Sequence, residues 1–298
     1  MVTNSANWHT QLWMFKKQED ESGNDVLVDF HTHSNASDGR LSPSDLVHSA
    51  LRRGVQRLAI TDHDTINGYL AVCDDVHASM RLISGVELSC QWNGRGIHVV
   101  GLGFSPDASE LKYHLSWLSN LRIKRAGEIA ASLQKQQIKG AFKGAILEAG
   151  DAQIGRPHFA RWMVRSGLVK NENEAFRRFL GQGKVGDISI LWPSLRETVR
   201  AIVTSGGWAV LAHPMRYKLT SSQLNRLCLD FLCAGGSVIE VISGRAEKNM
   251  TRRLMRLSEE LNMRISVGSD FHWDSSSGIP LGIDVSVLPK KTGIWDRV

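Results

Sequence analysis

Residues 26–33 read Val26-Leu27-Val28-Asp29-Phe30-His31-Thr32-His33, and Asp38-Gly39 follows close behind. The apolar run Val26-Leu27-Val28 predicts a short buried strand. Residues two apart on a strand point to the same face, so His31 and His33 project together. They do so at the end of the strand, where ligand sites on parallel α/β sheets lie. Two imidazoles with a carboxylate five residues on look like the first ligands of a metal centre. A pair of packed, hydrogen-bonded histidines would give the same short pattern.

The pattern repeats along the chain. Ser42-Pro43-Ser44-Asp45 starts a helix, with Ser as N-cap and Pro at the first position, and Gly54 ends it. A strand over 57–61 leads into Asp62-His63-Asp64, and a helix is predicted over 67–79. A strand over 82–86 has Glu87 at its end, and a fourth strand over 97–103 contains His98. Residues 105–193 break the alternation with several short helical segments and contain Gly155-Arg156-Pro157-His158. The alternation then resumes with a helix over 194–204 and a strand over 208–212 ending in His213-Pro214. A helix over 223–234, a strand over 237–241 and a helix over 246–261 come next. The last strand, 264–268, ends in Ser269-Asp270-Phe271-His272. Seven strands alternating with helices predict a mainly parallel sheet with right-handed crossovers. Candidate ligands at the ends of nearly every strand point to a (β/α) barrel; a doubly wound open sheet, the alternative, gathers its chemistry in one crevice. Gly101-Leu102-Gly103 lacks the third glycine of a dinucleotide fingerprint and opens no helix.

The chain has 298 residues, 42% of them hydrophobic and 22% charged, as expected of a globular protein. No stretch approaches the roughly 18 consecutive apolar residues of a membrane span. Residues 1–25 have no secretory-signal pattern and read as a polar extension, with Trp8, Trp13 and Phe15 packed on the domain or carried in a tail. Cys73, Cys90, Cys228 and Cys233 form no C-x-x-C pair or disulfide framework, so buried, reduced thiols and a cytoplasmic location are expected. The net charge of +6 is placed unevenly: residues 105–193 carry 14 Lys+Arg against 8 Asp+Glu, and the rest carries 22 of each. A basic insertion on a neutral body suggests an anionic partner, although a solvated helical surface gives the same modest excess.

Six of the eleven histidines, His31, His33, His63, His98, His213 and His272, fall on or beside predicted strands, whereas His9, His48, His77 and His114 do not. Independent scattering would not produce this. The ordered motifs DFHTHSNASDG (29–39), AITDHDT (59–65), GVELSC (85–90), IHVVG (97–101), LAHP (211–214) and GSDFH (268–272) resemble the polymerase-and-histidinol-phosphatase (PHP) family of metal-dependent phosphoesterases. GRPHFA (155–160) narrows the resemblance to the branch of 3′,5′-nucleoside bisphosphate phosphatases and 5′→3′ exoribonucleases.

The resemblance implies a distorted (β/α)7 PHP barrel formed by residues 26–104 and 194–298. Residues 105–193 would be a basic, mainly helical insertion serving as substrate cap. It also implies three divalent metal ions, manganese first, with iron or zinc as alternatives. His31, His33, Glu87 and Asp270 would hold one ion, with Glu87 bridging to a second completed by His98 and His213. Asp38, His63 and His272 would hold the third. Imidazole and carboxylate donors without thiolate suit these metals, and a water held between ions about 3.5–4 Å apart is a nucleophile for in-line phosphoryl displacement. Asp64 is either an acceptor orienting an imidazole or a turn or helix-cap aspartate before Thr65. Arg156 and His158 are expected to hold a substrate phosphate, His158 alternatively protonating the leaving group; without the family, Gly-Arg-Pro-His is an ordinary helix start. Ser89 and Cys90, lacking an adjacent base, are structural.

The implied reaction is hydrolysis of the phosphate ester at a nucleoside 3′ oxygen. On a 3′,5′-bisphosphate such as pAp this removes the 3′ phosphate; on 5′-phosphorylated RNA it releases a 5′-mononucleotide. No RRM or KH signature is present, and neither a membrane nor an obligate protein partner is expected. The alternatives are a small-metabolite phosphatase of the histidinol phosphate type, which the basic insertion argues against, and an inactive PHP scaffold or polymerase accessory module, which the filled ligand positions argue against.

Overall fold

The computed structural model describes residues 26–75, 78–245, 247–273, 279–289 and 292–298. The 1–25 extension, with Trp8, His9, Trp13 and Phe15, and also His77, lie outside the described residues. In chain order the elements are β1 (Leu27–Thr32), α1 (Pro43–Arg52), β2 (Val55–Ile60), α2 (Asn67–Leu70), β3 (Arg81–Trp92) and β4 (Arg95–Leu102). Next come α3 (Ser109–Lys135), α4 (Ala141–Ala149), α5 (Arg156–Arg165), α6 (Glu172–Ala175) and α7 (Leu195–Thr204). The last are β5 (Trp208–Leu211), α8 (Ser221–Cys233), β6 (Val238–Ser243), α9 (Lys248–Glu260), β7 (Arg264–Gly268) and the two-residue β8 (Ile283–Asp284).

The strands form one eight-stranded sheet in the order β7-β6-β5-β4-β3-β2-β1-β8. It curls until its ends meet. β8 occupies only the first residues of β1 (Leu27, Val28), and beyond that point β1 faces the segment after β7. There the Asp270 N–H donates to the His31 carbonyl and the His33 N–H to the Phe271 carbonyl, both at 2.8 Å. The result is a nearly closed α/β barrel with helices outside it.

The barrel is mixed rather than mainly parallel. β4 runs antiparallel to both β3 and β5, while β1–β2–β3 and β5–β6–β7 are parallel. The cause is local. Asn93 and Gly94 join β3 to β4 with positive φ at both positions (46° and 74°), and an Asn-Gly link of two residues makes a hairpin, not a crossover. β3 is correspondingly long, and Glu87 sits in its middle instead of at its end. The helix expected over 67–79 stops at Leu70 and gives way to turns. Asp74 and Asp75 would have lain toward its C-terminus, where the helix dipole disfavours negative charge.

The apolar interior of the described residues falls into three clusters, one of them formed by α1 and β2 with Leu46, Leu58, Ile60 and Phe271. The barrel core includes Val86, Leu88, Val99, Val210, Ile239, Ile265 and, from the first half of α3, Leu111 and Leu118. A separate cluster gathers Ala126, Ile129 and Leu133 of the second half of α3 with Ala145, Phe159, Met163 and Leu180. No cysteine is disulfide-bonded. Cys90 and Cys228 are buried as expected, but Cys73 is half-buried and Cys233 exposed. Among the described residues no helix is long and apolar enough to cross a membrane.

Candidate metal centre

All nine side chains that the strand-end pattern singled out converge on one end of the barrel. Glu87 is at their centre. Its Oε2 lies 3.3 Å from His31 Nε2, 3.3 Å from His33 Nε2 and 3.0 Å from His63 Nδ1. Its Oε1 lies 2.9 Å from His98 Nδ1 and 2.7 Å from His213 Nε2. A mid-strand position makes this possible, because a β3 side chain directed into the barrel faces strands on both sides. Asp270 Oδ1 lies 3.2 Å from His33 Nε2 and 3.7 Å from His31 Nε2. Asp38 Oδ1 lies 3.4 Å from His272 Nε2, and its Oδ2 lies 3.8 Å from His63 Nε2.

Four sets of donor atoms each lie within 4.8 Å of one another: His33/Asp38/His63/His272, His31/His213/Asp270, His31/His33/Glu87 and His63/Glu87/His98. They overlap at His31, His33, His63 and Glu87, so the donors form a shared cluster rather than three separate pockets. His31 Nε2, both ring nitrogens of His33, His63 Nδ1 and Glu87 Oε2 are buried without a hydrogen-bond partner. Burying such groups unpaired is costly, and a divalent cation among mixed imidazole and carboxylate donors would satisfy them. The residues present therefore fit a metal cluster.

The electrostatics agree for the three carboxylates and for His63. Burial alone would raise the carboxyls of Glu87, Asp38 and Asp270, yet the surrounding imidazoles hold all three well below the usual carboxylate range. Burial pushes His63 down to about 3, leaving its ring neutral and free to donate a lone pair. Burial also opposes charge on His272, but Asp38 and Asp270 outweigh it and lift the ring to about 9.

The backbone holds the site under strain. Asp64, His213 and Asp270 all have left-handed φ (54°, 29° and 52°), a region non-glycine residues occupy only when their surroundings impose it. Buried carboxylates fix the loops. Asp29 accepts from the Ser269 and Gly282 N–H groups at 2.9 Å each, and its burial raises its pKa to about 6. Asp62 accepts from Ser34 N, Ser34 Oγ and Ser37 Oγ, tying the loop after β1 to the end of β2.

Several functional contacts gave little sign in the sequence. Glu240 is one: Oε1 lies 2.9 Å from His31 Nδ1, and Oε2 accepts from the His213 N–H at 2.6 Å. It thus sets the His31 tautomer, keeping Nε2 free for the cluster. Its signal was a lone carboxylate inside the apolar strand Val238-Ile239-Glu240-Val241. Arg216 pairs with Asp270 Oδ2. From the helical insertion, Arg161 reaches the Asp38 and Gly39 carbonyls, and Arg122 Nε donates to Asp64 Oδ2 at 2.6 Å.

Asp64 therefore does not orient an imidazole. It accepts from Arg122 and, at 2.6 Å, from the Ser89 N–H, binding the insertion to β3 behind Glu87. His158 is buried, and its Nδ1 accepts from the Gly155 N–H at 3.0 Å. Burial and the nearby Arg161 lower its pKa to about 4, so the ring is neutral at pH 7. Arg156 donates through Nη1 to the Leu180 carbonyl at 3.1 Å and to Asp187 Oδ1 at 3.0 Å. Ser89 Oγ accepts from Arg122 Nη2 at 3.2 Å, and burial pushes the Cys90 thiol beyond ordinary titration.

Comparisons with known proteins agree with this geometry. The PHP domain family matches residues 29–157. A 5′-3′ exoribonuclease of Haemophilus influenzae is 39% identical over 90% of this chain and 98% of its own length. A 3′,5′-nucleoside bisphosphate phosphatase of Chromobacterium violaceum is 37% identical over 90% of this chain and 95% of its own. A solved structure of an amidohydrolase from C. violaceum, with sulfate bound and no metal, superposes with a TM-score of 0.81 at 36% identity, covering 90% of this chain and 94% of that one. With a family match over the first ligand-bearing strands and relatives aligned across nearly the whole barrel, this chain belongs to the PHP family of metal-dependent phosphoesterases.

Proposed function

We propose that this enzyme hydrolyses the phosphate ester at a nucleoside 3′ oxygen. It would dephosphorylate 3′,5′-bisphosphates such as pAp and release 5′-mononucleotides from 5′-phosphorylated RNA. The observation that carries the reading is the overlap of the donor sets around Glu87, with insertion arginines approaching the same end of the barrel. The relatives' names point the same way.

Three divalent ions, manganese first, would be held by His31, His33, Glu87 and Asp270, by Glu87, His98 and His213, and by Asp38, His63 and His272. When bound, they supply Lewis acidity and lower the pKa of water, the chemistry an in-line phosphoryl displacement requires. The chain's own residues do the rest. Glu240 holds the His31 imidazole in a fixed tautomer and orientation. Asp64 and Arg122 lock the insertion onto β3, so residues 105–193 act as a cap over the barrel of 26–104 and 194–298.

In the cap, Arg156, whose Nη1 is engaged by Leu180 O and Asp187 Oδ1, would offer its remaining guanidinium N–H groups to a substrate phosphate. His158 contributes as a neutral hydrogen-bond donor through Nε2, because a ring with its pKa near 4 and Nδ1 already accepting is a poor reservoir of protons for a leaving group. The chain beyond the first nucleotide is held by backbone charge and not by base readout, so RNA turnover should weaken with salt more steeply than pAp turnover.

The test is a substrate panel with the manganese-loaded enzyme: pAp, 5′-phosphorylated short RNA and histidinol phosphate, each at two salt concentrations. Turnover of the two nucleotide substrates, with RNA the more salt-sensitive, is expected. Turnover of histidinol phosphate alone would overturn the reading.

A further inference from the structure

Trp273 follows the cluster residue His272 directly, and its ring lies 6.0 Å from the His272 imidazole, nearly perpendicular to it. It is nevertheless 45% exposed, the only tryptophan among the large exposed apolar side chains of the described residues. The Trp273 indole therefore contributes little to the core, and it stands at the rim of the site. It is also held in place. The Arg40 guanidinium lies 5.3 Å from its ring centroid. Arg40 is fixed in turn at both ends: its N–H donates to the His272 carbonyl at 2.9 Å, and its Nη2 donates to Glu172 Oε1 of α6 at 2.7 Å. Loop, indole and cap are thus joined in one line across the mouth.

A flat, half-exposed indole backed by a cation is a surface on which a heterocycle stacks. We propose that Trp273, braced by Arg40, is the platform for a base of the nucleotide substrate. The inference deepens the nucleotide reading above and rests on it. The metal cluster and the cap arginines recognise phosphate and are indifferent to what the phosphate is attached to. Trp273 adds preference for a phosphate that carries a base, without preference among bases, since every base has a π-face.

The test compares AMP with ribose 5-phosphate, which lacks the base, for binding to the manganese-loaded full chain by calorimetry. Wild type should bind AMP more tightly by about five-fold to a hundredfold, the usual range for one base on one aromatic ring. Trp273→Ala should abolish that preference and leave ribose 5-phosphate binding unchanged, while Trp273→Phe should retain most of it. With a 5′-phosphorylated dinucleotide, Trp273→Ala should raise KM at constant kcat, as loss of uniform binding does. Equal weakening of both ligands, or unchanged AMP preference in Trp273→Ala, would overturn the platform. Absence of turnover on every nucleotide would overturn the proposed function instead, and the binding comparison would still decide the role of Trp273.

Discussion

Glu87 touches five imidazoles through two oxygens, His31, His33 and His63 on one side and His98 and His213 on the other. Glu87→Gln should therefore cost more than one bound ion per chain and lower activity by more than about a hundredfold, beyond the range seen when only a supporting residue is lost. Elemental analysis checks it, and a full metal complement in the variant would contradict the shared-centre geometry. Glu240→Gln is the contrast. It leaves every proposed ligand in place and releases His31 from its fixed tautomer, so metal affinity should fall about 10- to 100-fold. His158 gives a pH signature. Its ring is neutral in the fold down to about pH 4, whereas in the unfolded chain it takes a proton near its ordinary 6.5. Its contribution to stability is thus complete above pH 6.5 and is lost as pH falls from there to 4, by up to about 1.4 kcal/mol per pH unit. Urea midpoints of wild type and His158→Gln should diverge over that window; parallel curves would show that the ring is not held neutral.

At the scale of elements, β1 and β7 approach so closely that only glycine fits between them. A Cβ at Gly268 would lie 2.3 Å from His31 Cβ and 2.7 Å from His31 N. Gly268→Ala should cost about 1–3 kcal/mol and displace His31, lowering the melting temperature and metal affinity together. An unchanged melting temperature would mean the strands separate freely. The same elements show what is legible in the sequence. Parallel strands that end in His, Asp or Glu announce themselves, because apolar runs interrupted by charge are rare where no site exists. The antiparallel β4 escapes such a reading although Asn93-Gly94 marks its hairpin, since strands separated by helices before and after it suggest a uniform rhythm. That rhythm puts Glu87 at a strand end when it lies mid-strand. Arg122 and Arg161 are not legible at all: they lie on helices whose own periodicity says nothing of partners 58 and 123 residues away.

For the whole molecule, α3 is the decisive piece, since its first half packs in the barrel core and its second in the cap cluster. Leu133→Ala should cost about 2–5 kcal/mol, read as faster hydrogen exchange in α3–α5 with the barrel strands still protected. Exchange rising uniformly over the barrel would show that the α3–α5 cluster and the barrel unfold as one cooperative unit. Charge imbalance in 105–193 hints at such a division, but where one core passes into the other depends on packing, which no local pattern reports. The division also has a mechanical side. At 1.5 Å per residue, 27 helical residues make a rod of about 40 Å, without a break between the two bodies. The returning chain is tied as well, with Gln91 N–H donating to Pro193 O and Arg125 Nε to Ile188 O. Swinging the second cluster against the barrel would mean bending a helix rather than turning a joint, so the helix works as a strut whose hydrogen-bonded length fixes the distance between the two bodies.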